Sequence, residues 1–315
     1  MTSSRKVGVI GTGFVGSSFA YALMIRGLAS ELVLVDANRE KAEGEVMDFS
    51  HGLSFTRPMK ITAGSYDDLA GCQVVVLTAG AGQKPGESRL DLFSRNAAIF
   101  RSIVPEIVKH NPDGILLIAT NPVDILTFTA LKQSGLDPRR VVGSGTILDT
   151  SRFRFLLGQY YEVDSRSVHA YIVGEHGDSE IPLWSLANIG GVRLQEFAPL
   201  MNKNYNQADM DALFLEVRDA AYEIIRRKGA TYYAIGLGLV SIVEAILGNH
   251  RRVLSVSTLM TGHYGVKDIC LSLPCVVGAK GVEDILTLNL SPEEEEGFRI
   301  SGTTLKQTYA TIQGT

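Results

Sequence analysis

The stretch Val7-Gly-Val-Ile-Gly11-Thr-Gly13-Phe-Val-Gly16 decides how the first half of this chain folds. Its first four residues are typical of a short, buried parallel strand. Gly11 permits the tight turn that follows, Gly13 lets the backbone approach a pyrophosphate, and Gly16 lets the next helix pack closely on the strand. That helix, predicted over residues 17–26, offers free N–H groups to phosphates at its N-terminus. The stretch therefore predicts a dinucleotide-binding turn.

A second predicted strand, residues 32–35, ends in Asp36, which lies twenty positions after Gly16. A spacing of about 20 residues is typical of a carboxylate that accepts both hydroxyls of the cofactor ribose. The same charge repels a 2′-phosphate, so Asp36 favours NAD over NADP. The alternative is that Asp36 simply ends a strand.

Strands and helices continue to alternate after Asp36. A helix is predicted at residues 39–49, and strands at 59–63, 74–78, 115–119 and 141–143. We predict an α/β protein with a Rossmann-type doubly wound parallel sheet over residues 1–145, of which 141–143 is the last strand. An α+β catalytic domain with an antiparallel sheet, built on strands at 251–260 and 269–277, is predicted over residues 146–315.

The composition excludes several classes of protein. A net charge of −4 leaves no basic footprint, so no nucleic-acid partner is expected. Cys72, Cys270 and Cys275 are odd in number and form no CxxC pair, which favours reduced cytoplasmic thiols over disulfides or a zinc site. Residues 7–25 are interrupted by four glycines, so we expect soluble structure there and no membrane partner. No metal site is predicted.

A histidine lies within Tyr171-Ile-Val-Gly-Glu-His176-Gly-Asp178-Ser-Glu180. The glycines beside it place it on a turn after a predicted strand, where a side chain can reach a reacting atom. A lone histidine of this kind is more often an ordinary surface or core residue. Asp149 and Arg152 change that expectation, because residues three apart on the predicted helix 148–157 share a face and can serve one cavity. The alternative for them is a surface ion pair.

The segment Gln83-Lys-Pro-Gly-Glu-Ser-Arg89 joins the fourth predicted strand to its helix. Proline and glycine are typical of loops, whereas Gln83 and Arg89 are long polar side chains without an obvious local partner. The segment is either a solvated turn or a mobile lid that carries Arg89 over a ligand and excludes water on closing.

Six motifs occur in order: Gly11–Gly16, Asp36, the segment 83–89, Thr120-Asn121-Pro122, Leu148-Asp149-Thr-Ser-Arg152 and Gly174-Glu-His176-Gly-Asp178. Together they resemble the bacterial L-lactate dehydrogenases of the lactate/malate dehydrogenase family, over nearly the whole chain. The resemblance implies reversible interconversion of pyruvate and (S)-lactate with NAD. It also implies that Arg152 binds the substrate carboxylate, that Asp149 hydrogen-bonds His176, and that His176 is the proton donor and acceptor.

The resemblance extends to a full set of site residues. The implied catalytic residues are His176, Asp149 and Arg89. The implied substrate-binding residues are Gln83, Arg89, Asn121, Arg152 and Thr231. The implied cofactor-binding residues are Gly11, Gly13, Val15, Gly16, Asp36, Lys41, Tyr66, Gly80, Ala81, Ser102, Asn121, Ser144 and Ile235, although Ile235 alone would also suit an ordinary helix core.

Regulation and assembly are implied in the same way. Arg154 lies about 200° around the helix from Arg152, so it cannot serve the same cavity. In the family, residues matching Arg154 and His169 bind the activator fructose 1,6-bisphosphate across a subunit interface, and members of this type are tetramers. His169 is predicted to begin the strand that leads to His176. The alternative for this pair is an interface ion pair or simple surface charge.

Gln83 bears on the choice of substrate. By resemblance, malate dehydrogenases have arginine at the matching position to hold a second carboxylate, so a neutral glutamine favours a monoanion such as pyruvate. Malate or a bulkier 2-hydroxy acid is the alternative substrate. A non-catalytic NAD-binding protein is the alternative class, but it would not need Arg89, Asp149, Arg152 and His176 together.

Three further details are open to test by the structure. Gly82 and Ala234 depart from the family pattern, where a larger polar residue and a glycine are expected. Ser291 is predicted to cap a helix whose first residues, Pro292 and a run of glutamates, suit a helix N-terminus and solvent. Gly297 is predicted to interrupt that helix.

Overall fold

The computed structural model describes residues 5–82 and 89–313 of the chain, without the side chains of Arg89, Ile312 and Gln313. The strands are β1 (Lys6–Ile10), β2 (Glu31–Val35), β3 (Lys60–Ala63), β4 (Val74–Leu77), β5 (Ile115–Ile118), β6 (Val141–Gly143), β7 (Val168–His169), β8 (Ile172–Val173), β9 (Ile181–Pro182), β10 (Asn188–Ile189), β11 (Val192–Arg193), β12 (Arg252–Thr261), β13 (Lys267–Gly278) and β14 (Gly281–Ile285). The helices are α1 (Phe14–Arg26), α2 (Arg39–Gly52), α3 (Arg89–His110), α4 (Val123–Ser134), α5 (Ile147–Tyr161), α6 (Leu194–Leu200), α7 (Gln207–Lys228), α8 (Tyr233–Leu247) and α9 (Pro292–Gln313).

The main sheet contains nine strands in the described residues, in the order β14-β13-β12-β6-β5-β4-β1-β2-β3. Strands β1 to β6 are parallel and follow the 3-2-1-4-5-6 order of dinucleotide-binding folds. Every residue of β4 and β5 is buried, as expected for a sheet covered on both faces. The strand order reverses between β1 and β4, so a crevice forms beyond their carboxyl ends. The predicted fold class is confirmed.

The prediction that residues 141–143 form the last strand of the sheet is wrong. The antiparallel strands β12 and β13, predicted at residues 251–260 and 269–277, continue the same sheet, with Ser257 of β12 paired to Gly143 of β6. Gly143 makes this pairing possible, because a Cβ there would lie only 2.8 Å from the Cβ of Ser257. The sheet is therefore continuous from the parallel strands into the antiparallel ones.

The helix α9 is capped as predicted but is not interrupted at Gly297. Ser291 Oγ accepts from the Glu294 amide, and a Glu294 carboxylate oxygen accepts from the Ser291 amide, which is a capping box. Glu294 is buried rather than solvated, and it also binds the amide and hydroxyl of Ser185. The helix continues through Gly297 because the bare backbone there packs on Ile181, 3.2 Å from where a Cβ would lie.

The strand predicted to run from His169 toward His176 is two strands in separate sheets. β7 pairs with β10, whereas β8 pairs with β9. Between the two strands, the carbonyl of Ala170 accepts a hydrogen bond from Arg154 Nε at 2.9 Å, so its partner is a side chain and not another strand. β8 reaches the main sheet through a bridge between Gly174 and Ser272, which fixes the start of the turn that carries His176.

The three cysteines are free, buried thiols. Burial raises the pKa of Cys72 to about 12, so this thiol is uncharged and unreactive at neutral pH. Among the described helices, none is both long and apolar enough to cross a membrane.

Candidate active site

The glycine-rich turn after β1 has the geometry of a phosphate cradle. Gly11 has a φ of +98°, and a Cβ there would lie 2.6 Å from the Ala79 backbone nitrogen. A Cβ on Gly16 would lie 2.0 Å from the Gly11 carbonyl oxygen, so the first turn of α1 packs directly on the loop. Among the residues that the structure describes, none has an atom within 4 Å of the Cβ position of Gly13. The turn is closed on the protein side and open at Gly13, and this space fits a pyrophosphate.

Asp36 ends β2 beside this turn and is held in place by three hydrogen bonds. Its Oδ2 accepts from the amide of Thr12 at 2.7 Å and from the Thr12 hydroxyl at 2.9 Å, and its Oδ1 accepts from the amide of Asn38 at 2.9 Å. Burial acts to raise the pKa of Asp36, but these hydrogen bonds hold it below its ordinary value. Asp36 is therefore a fixed anion at neutral pH, and its Oδ1 keeps one lone pair for a ribose hydroxyl.

Asn96, which the sequence reasoning missed, stabilises the wall of the crevice formed by the loops after β4 and β5. It is buried on α3, and its Oδ1 accepts from the Ala81 amide at 2.8 Å. Its Nδ2 donates to the Asn121 carbonyl at 3.0 Å. Asn96 thus joins the loops after β4 and β5. A buried amide on an otherwise amphipathic helix was the available signal, because such a group needs partners.

A cleft of about 430 Å³ lies between this wall and the second half of the chain. The predicted site residues that line it are Val15, Gly80, Ala81, Asn121, Ser144, Arg152, His176, Thr231 and Ile235. Predicted site residues up to 220 positions apart in sequence, from Val15 to Ile235, therefore face one space. Ile235 is half-buried: it packs against the hydrophobic core and also lines the cleft.

Other predicted residues lie outside the cleft. Lys41 is in the first turn of α2, close enough to Asp36 to help lower the pKa of that carboxyl. Tyr66 lies in a short turn after β3, and Ser102 donates to the Ile99 carbonyl on α3. Gln83 lies outside the described residues, and Arg89 is described only as the first backbone position of α3.

Asp149, Arg152 and His176 form one hydrogen-bonded group, as predicted from their spacing and from the resemblance. Asp149 Oδ2 lies 2.5 Å from His176 Nδ1, and Asp149 Oδ1 accepts from Arg152 Nη1 at 2.8 Å. The side chain of Asp149 is 2 % exposed, against 14 % for Arg152 and 23 % for His176. The buried carboxylate thus orients two cationic groups that both reach the cleft.

The charges in this group stabilise one another. Burial acts to lower the pKa of His176, but the carboxylate of Asp149 overrides it and raises the pKa to about 9. Burial likewise opposes ionisation of Asp149, yet His176 and Arg152 hold its pKa below the ordinary value. At neutral pH the imidazole is therefore protonated beside an ionised Asp149.

Asp124 is a second residue that sequence reasoning missed. It lies in the first turn of α4, 2 % exposed, and its Oδ2 accepts from the backbone N–H of His176 at 2.7 Å. Burial raises the pKa of Asp124 to about 7. A carboxylate inside the apolar run of α4 was the available signal, since buried charges need partners. Asp124 fixes the backbone of His176, whereas Asp149 fixes its ring.

Comparison with known families matches both halves of the chain. Residues 5–143 match the "lactate/malate dehydrogenase, NAD binding domain", and residues 146–314 match the "lactate/malate dehydrogenase, alpha/beta C-terminal domain".

The chain belongs to the lactate/malate dehydrogenase family.

Individual relatives support this assignment over almost the full length. An L-lactate dehydrogenase from Priestia megaterium is 54 % identical over 97 % of this chain and 96 % of its own. One from Acetivibrio thermocellus is 52 % identical over 98 % of this chain and 97 % of its own. The crystal structure of a lactate dehydrogenase from a deep-sea metagenome library superposes with a TM-score of 0.96 at 47 % identity, covering 98 % of this chain and 99 % of that one.

Membership of the lactate/malate dehydrogenase family makes this chain an NAD-dependent oxidoreductase. The open cradle at Gly13 and the fixed anion at Asp36 fit that cofactor. The two departures from the family pattern are both structurally permitted. Gly82 is exposed, and no atom of the described residues lies within 4 Å of its Cβ position. Ala234 is exposed at the second residue of α8.

The two candidate regulatory residues lie on a different face from the cleft. Arg154 Nε donates to the Ala170 carbonyl at 2.9 Å, and its guanidinium lies 5.0 Å from the centre of the Tyr171 ring. His169, the neighbour of Ala170, is exposed. Arg152 faces the cleft and Arg154 does not, as predicted from their angular separation.

Proposed function

We propose that this chain is an L-lactate dehydrogenase that interconverts pyruvate and (S)-lactate with NAD. The observation that carries the proposal is the group Asp149–His176–Arg152, which opens onto the same cleft as the cofactor wall at Gly80 and Ala81. A non-catalytic NAD-binding protein would not need a buried carboxylate that positions both an imidazole and a guanidinium. The L-lactate dehydrogenases to which the chain is about half identical support the same assignment.

Arg152 is suited to bind the substrate carboxylate. One of its nitrogens, Nη1, is held by Asp149 at 2.8 Å, so the guanidinium is oriented before substrate arrives. Its remaining N–H groups can donate two parallel hydrogen bonds to a carboxylate. Thr231 and Ile235 line the same cleft and leave an apolar side for a methyl group.

His176 is suited to exchange the proton. Its Nδ1 is occupied by Asp149, so Nε2 is the nitrogen that can donate to a keto oxygen or accept from a hydroxyl. NADH, when bound, supplies the hydride. Asp149 stabilises the imidazolium before the proton leaves and keeps the ring oriented afterwards. Since the pKa of His176 is raised to about 9, His176 is protonated at neutral pH, as pyruvate reduction requires. Lactate oxidation needs neutral His176, so its rate should increase as the pH rises.

Gln83 is proposed to select pyruvate over oxaloacetate, because the closed site would bury an uncompensated second carboxylate. We expect purified protein to oxidise NADH faster with pyruvate than with oxaloacetate. Gln83→Arg should shift the ratio of the two kcat/KM values toward oxaloacetate by about a hundredfold or more, since an unpaired buried charge costs several kcal/mol. The change in NADH absorbance measures both substrates.

The matched control is Gln133→Arg, which adds the same charge at an exposed position of α4 outside the cleft. It should leave the substrate ratio unchanged. An unchanged ratio in Gln83→Arg as well would mean that another residue selects the substrate. Wild-type protein that is inactive with both substrates would overturn the proposed function itself.

We further propose that the enzyme is a homotetramer activated by fructose 1,6-bisphosphate. Large apolar side chains exposed on α1, α2 and α8, among them Tyr21, Met47 and Leu237, support burial against further copies. Arg154 donates to the carbonyl of Ala170, the residue after the exposed His169, and a guanidinium and an imidazole both suit a phosphate dianion.

Pyruvate saturation curves with and without the bisphosphate test this regulation. We expect the bisphosphate to lower KM for pyruvate by about 5- to 100-fold, the range of typical coupling free energies. Sedimentation velocity under the same conditions reports the assembly.

His169→Gln is the sharper variant, because His169 is exposed whereas Arg154 has a structural bond to Ala170. It should abolish the response, while His51→Gln, at an exposed histidine of α2, should keep it. A wild-type KM that does not respond between pH 6 and pH 8 would exclude regulation at this site.

A further inference from the structure

Glu180 is a buried carboxyl beside the catalytic group to which the reaction described above gives no role. It ends the turn that carries His176 and is 7 % exposed. Within the described residues, its Oε1 has no hydrogen-bond partner. A buried carboxylate oxygen without a donor is costly, and the cost falls sharply when the carboxyl is neutral.

The surroundings of Glu180 contain charges of both signs. A carboxylate oxygen of Glu180, a carboxylate oxygen of Asp149 and a ring nitrogen of His176 all lie within 4.8 Å of one another. Arg152 on α5 and Arg218 on α7 are the cations that face it together with His176. Three such groups could ligate a cation, but Asp149 is already bonded to Arg152 and to His176 Nδ1. The cluster is therefore better suited to hold protons than a metal.

Within the group Asp149–Arg152–His176, the charges of the proposed reaction balance when Glu180 is neutral. Asp149 contributes one negative charge, Arg152 and protonated His176 contribute two positive charges, and pyruvate adds one negative charge, so the sum is zero. An ionised Glu180 would add one negative charge to this balanced, buried group, with the partly exposed Arg218 as the further cation that faces it. The same balance holds for the reverse reaction, because oxidised cofactor brings the positive charge that neutral His176 lacks.

We propose that Glu180 is a buried carboxyl of this enzyme that must be protonated for the monoanionic substrate to bind. The proposal rests on the proposed pyruvate chemistry and adds the protonation state of a third carboxyl to it. Burial, followed by the charge of Asp149, raises the pKa of Glu180 to about 9, so the neutral form prevails at physiological pH. The productive free enzyme then carries two essential protons, one on Glu180 and one on His176.

The alkaline slope of the pH profile of kcat/KM for pyruvate reports how many of these protons the reaction needs. In wild-type protein the profile should fall at alkaline pH with a slope that approaches about two decades per pH unit, because both protons are lost. Glu180→Gln imitates the neutral acid, so its slope should approach about one decade per pH unit. At pH 7 the variant should keep kcat/KM within about threefold of wild type, because it preserves the charge of the productive state.

Infrared spectroscopy gives a readout that does not depend on activity. The difference spectrum between wild type and Glu180→Gln should contain the carbonyl stretch of a protonated carboxyl at pH 7, and this band should disappear at alkaline pH. Glu175→Gln is the matched control in the same turn; Glu175 is bonded to the Ser179 hydroxyl, and its replacement should keep the wild-type slope.

The results that overturn the proposal differ from those that overturn the function. A Glu180→Gln variant whose kcat/KM for pyruvate at pH 7 falls more than tenfold shows that Glu180 acts as an anion. A variant whose pH profile keeps the wild-type slope shows that Glu180 contributes only to packing. If Glu180→Gln does not fold, the same pH profile is measured in Arg218→Gln instead. Arg218 is partly exposed and lowers the pKa of Glu180, so its removal should move the steep fall to higher pH. An unmoved fall contradicts the proposal.

Discussion

Replacing His176 with asparagine is expected to lower kcat for pyruvate reduction by about three to four orders of magnitude. Asparagine has a similar shape near the backbone but carries no transferable proton. Its amide can still bond to Asp149, so the buried carboxylate keeps a partner and the fold should persist. The cofactor turn at Gly11 to Gly16 lies on another element, and NADH affinity should stay close to wild type. Stopped-flow measurement of NADH oxidation and a fluorescence titration of NADH separate the two effects.

A second histidine–aspartate pair provides the control for this experiment. His110 Nδ1 lies 2.7 Å from Asp67 Oδ1, at the end of α3 and outside the cleft. His110→Asn therefore removes a histidine–aspartate contact without touching the proposed chemistry, and its turnover should match wild type. Near-normal turnover in His176→Asn would rule out His176 as the proton donor.

Replacing Arg152 with lysine is expected to lower kcat/KM for pyruvate by roughly a hundredfold, chiefly through a higher KM. The guanidinium bonds to Asp149 at 2.8 Å, and its other N–H groups make no hydrogen bond to any residue that the structure describes. A lysine ammonium keeps the charge but cannot form this fork. The loss of one charge-assisted hydrogen bond and of orientation corresponds to about 3 kcal/mol. Steady-state kinetics with pyruvate and with a neutral 2-keto compound measure this change in kcat/KM.

The effect of Arg152→Lys should vanish with the neutral substrate, because no carboxylate is then bound. Arg226→Lys is the matched control: Arg226 is 67 % exposed and pairs with Glu223 three residues away on α7. Exposed pairs of this kind contribute little, so this variant should behave as wild type. An equal loss with charged and neutral substrates would show that Arg152 supports the site only through Asp149.

Much of the cofactor half could be predicted from the sequence because its determinants are local. The turn between β1 and α1, and Asp36 at the end of β2, follow from residues within about 30 positions of one another. The helix α5 is similar: the three-residue spacing of Asp149 and Arg152 is enough to place both on one face, and they are bonded there. Short-range geometry of this kind depends little on the rest of the chain.

The C-terminal half was harder to predict because its decisive contacts are long-range. Gly297 would end an isolated helix, since glycine costs about 1 kcal/mol there, but packing on Ile181 outweighs that preference. The pairing of β12 with β6 likewise joins residues more than a hundred positions apart. Hydrophobic periodicity identifies such strands but does not indicate which strand they will join.

The sequence by itself determined the fold class, the NAD cradle and the identity of the chemical groups at His176, Asp149 and Arg152. Only the tertiary structure decided which groups surround His176. Asp124 holds its backbone from a position 52 residues away, and Glu180 lies against Asp149 from another element. Both are carboxyls, and what a carboxyl does depends on burial and on neighbouring charges. Those are properties of the folded chain, because only folding brings the charges together and removes the water between them.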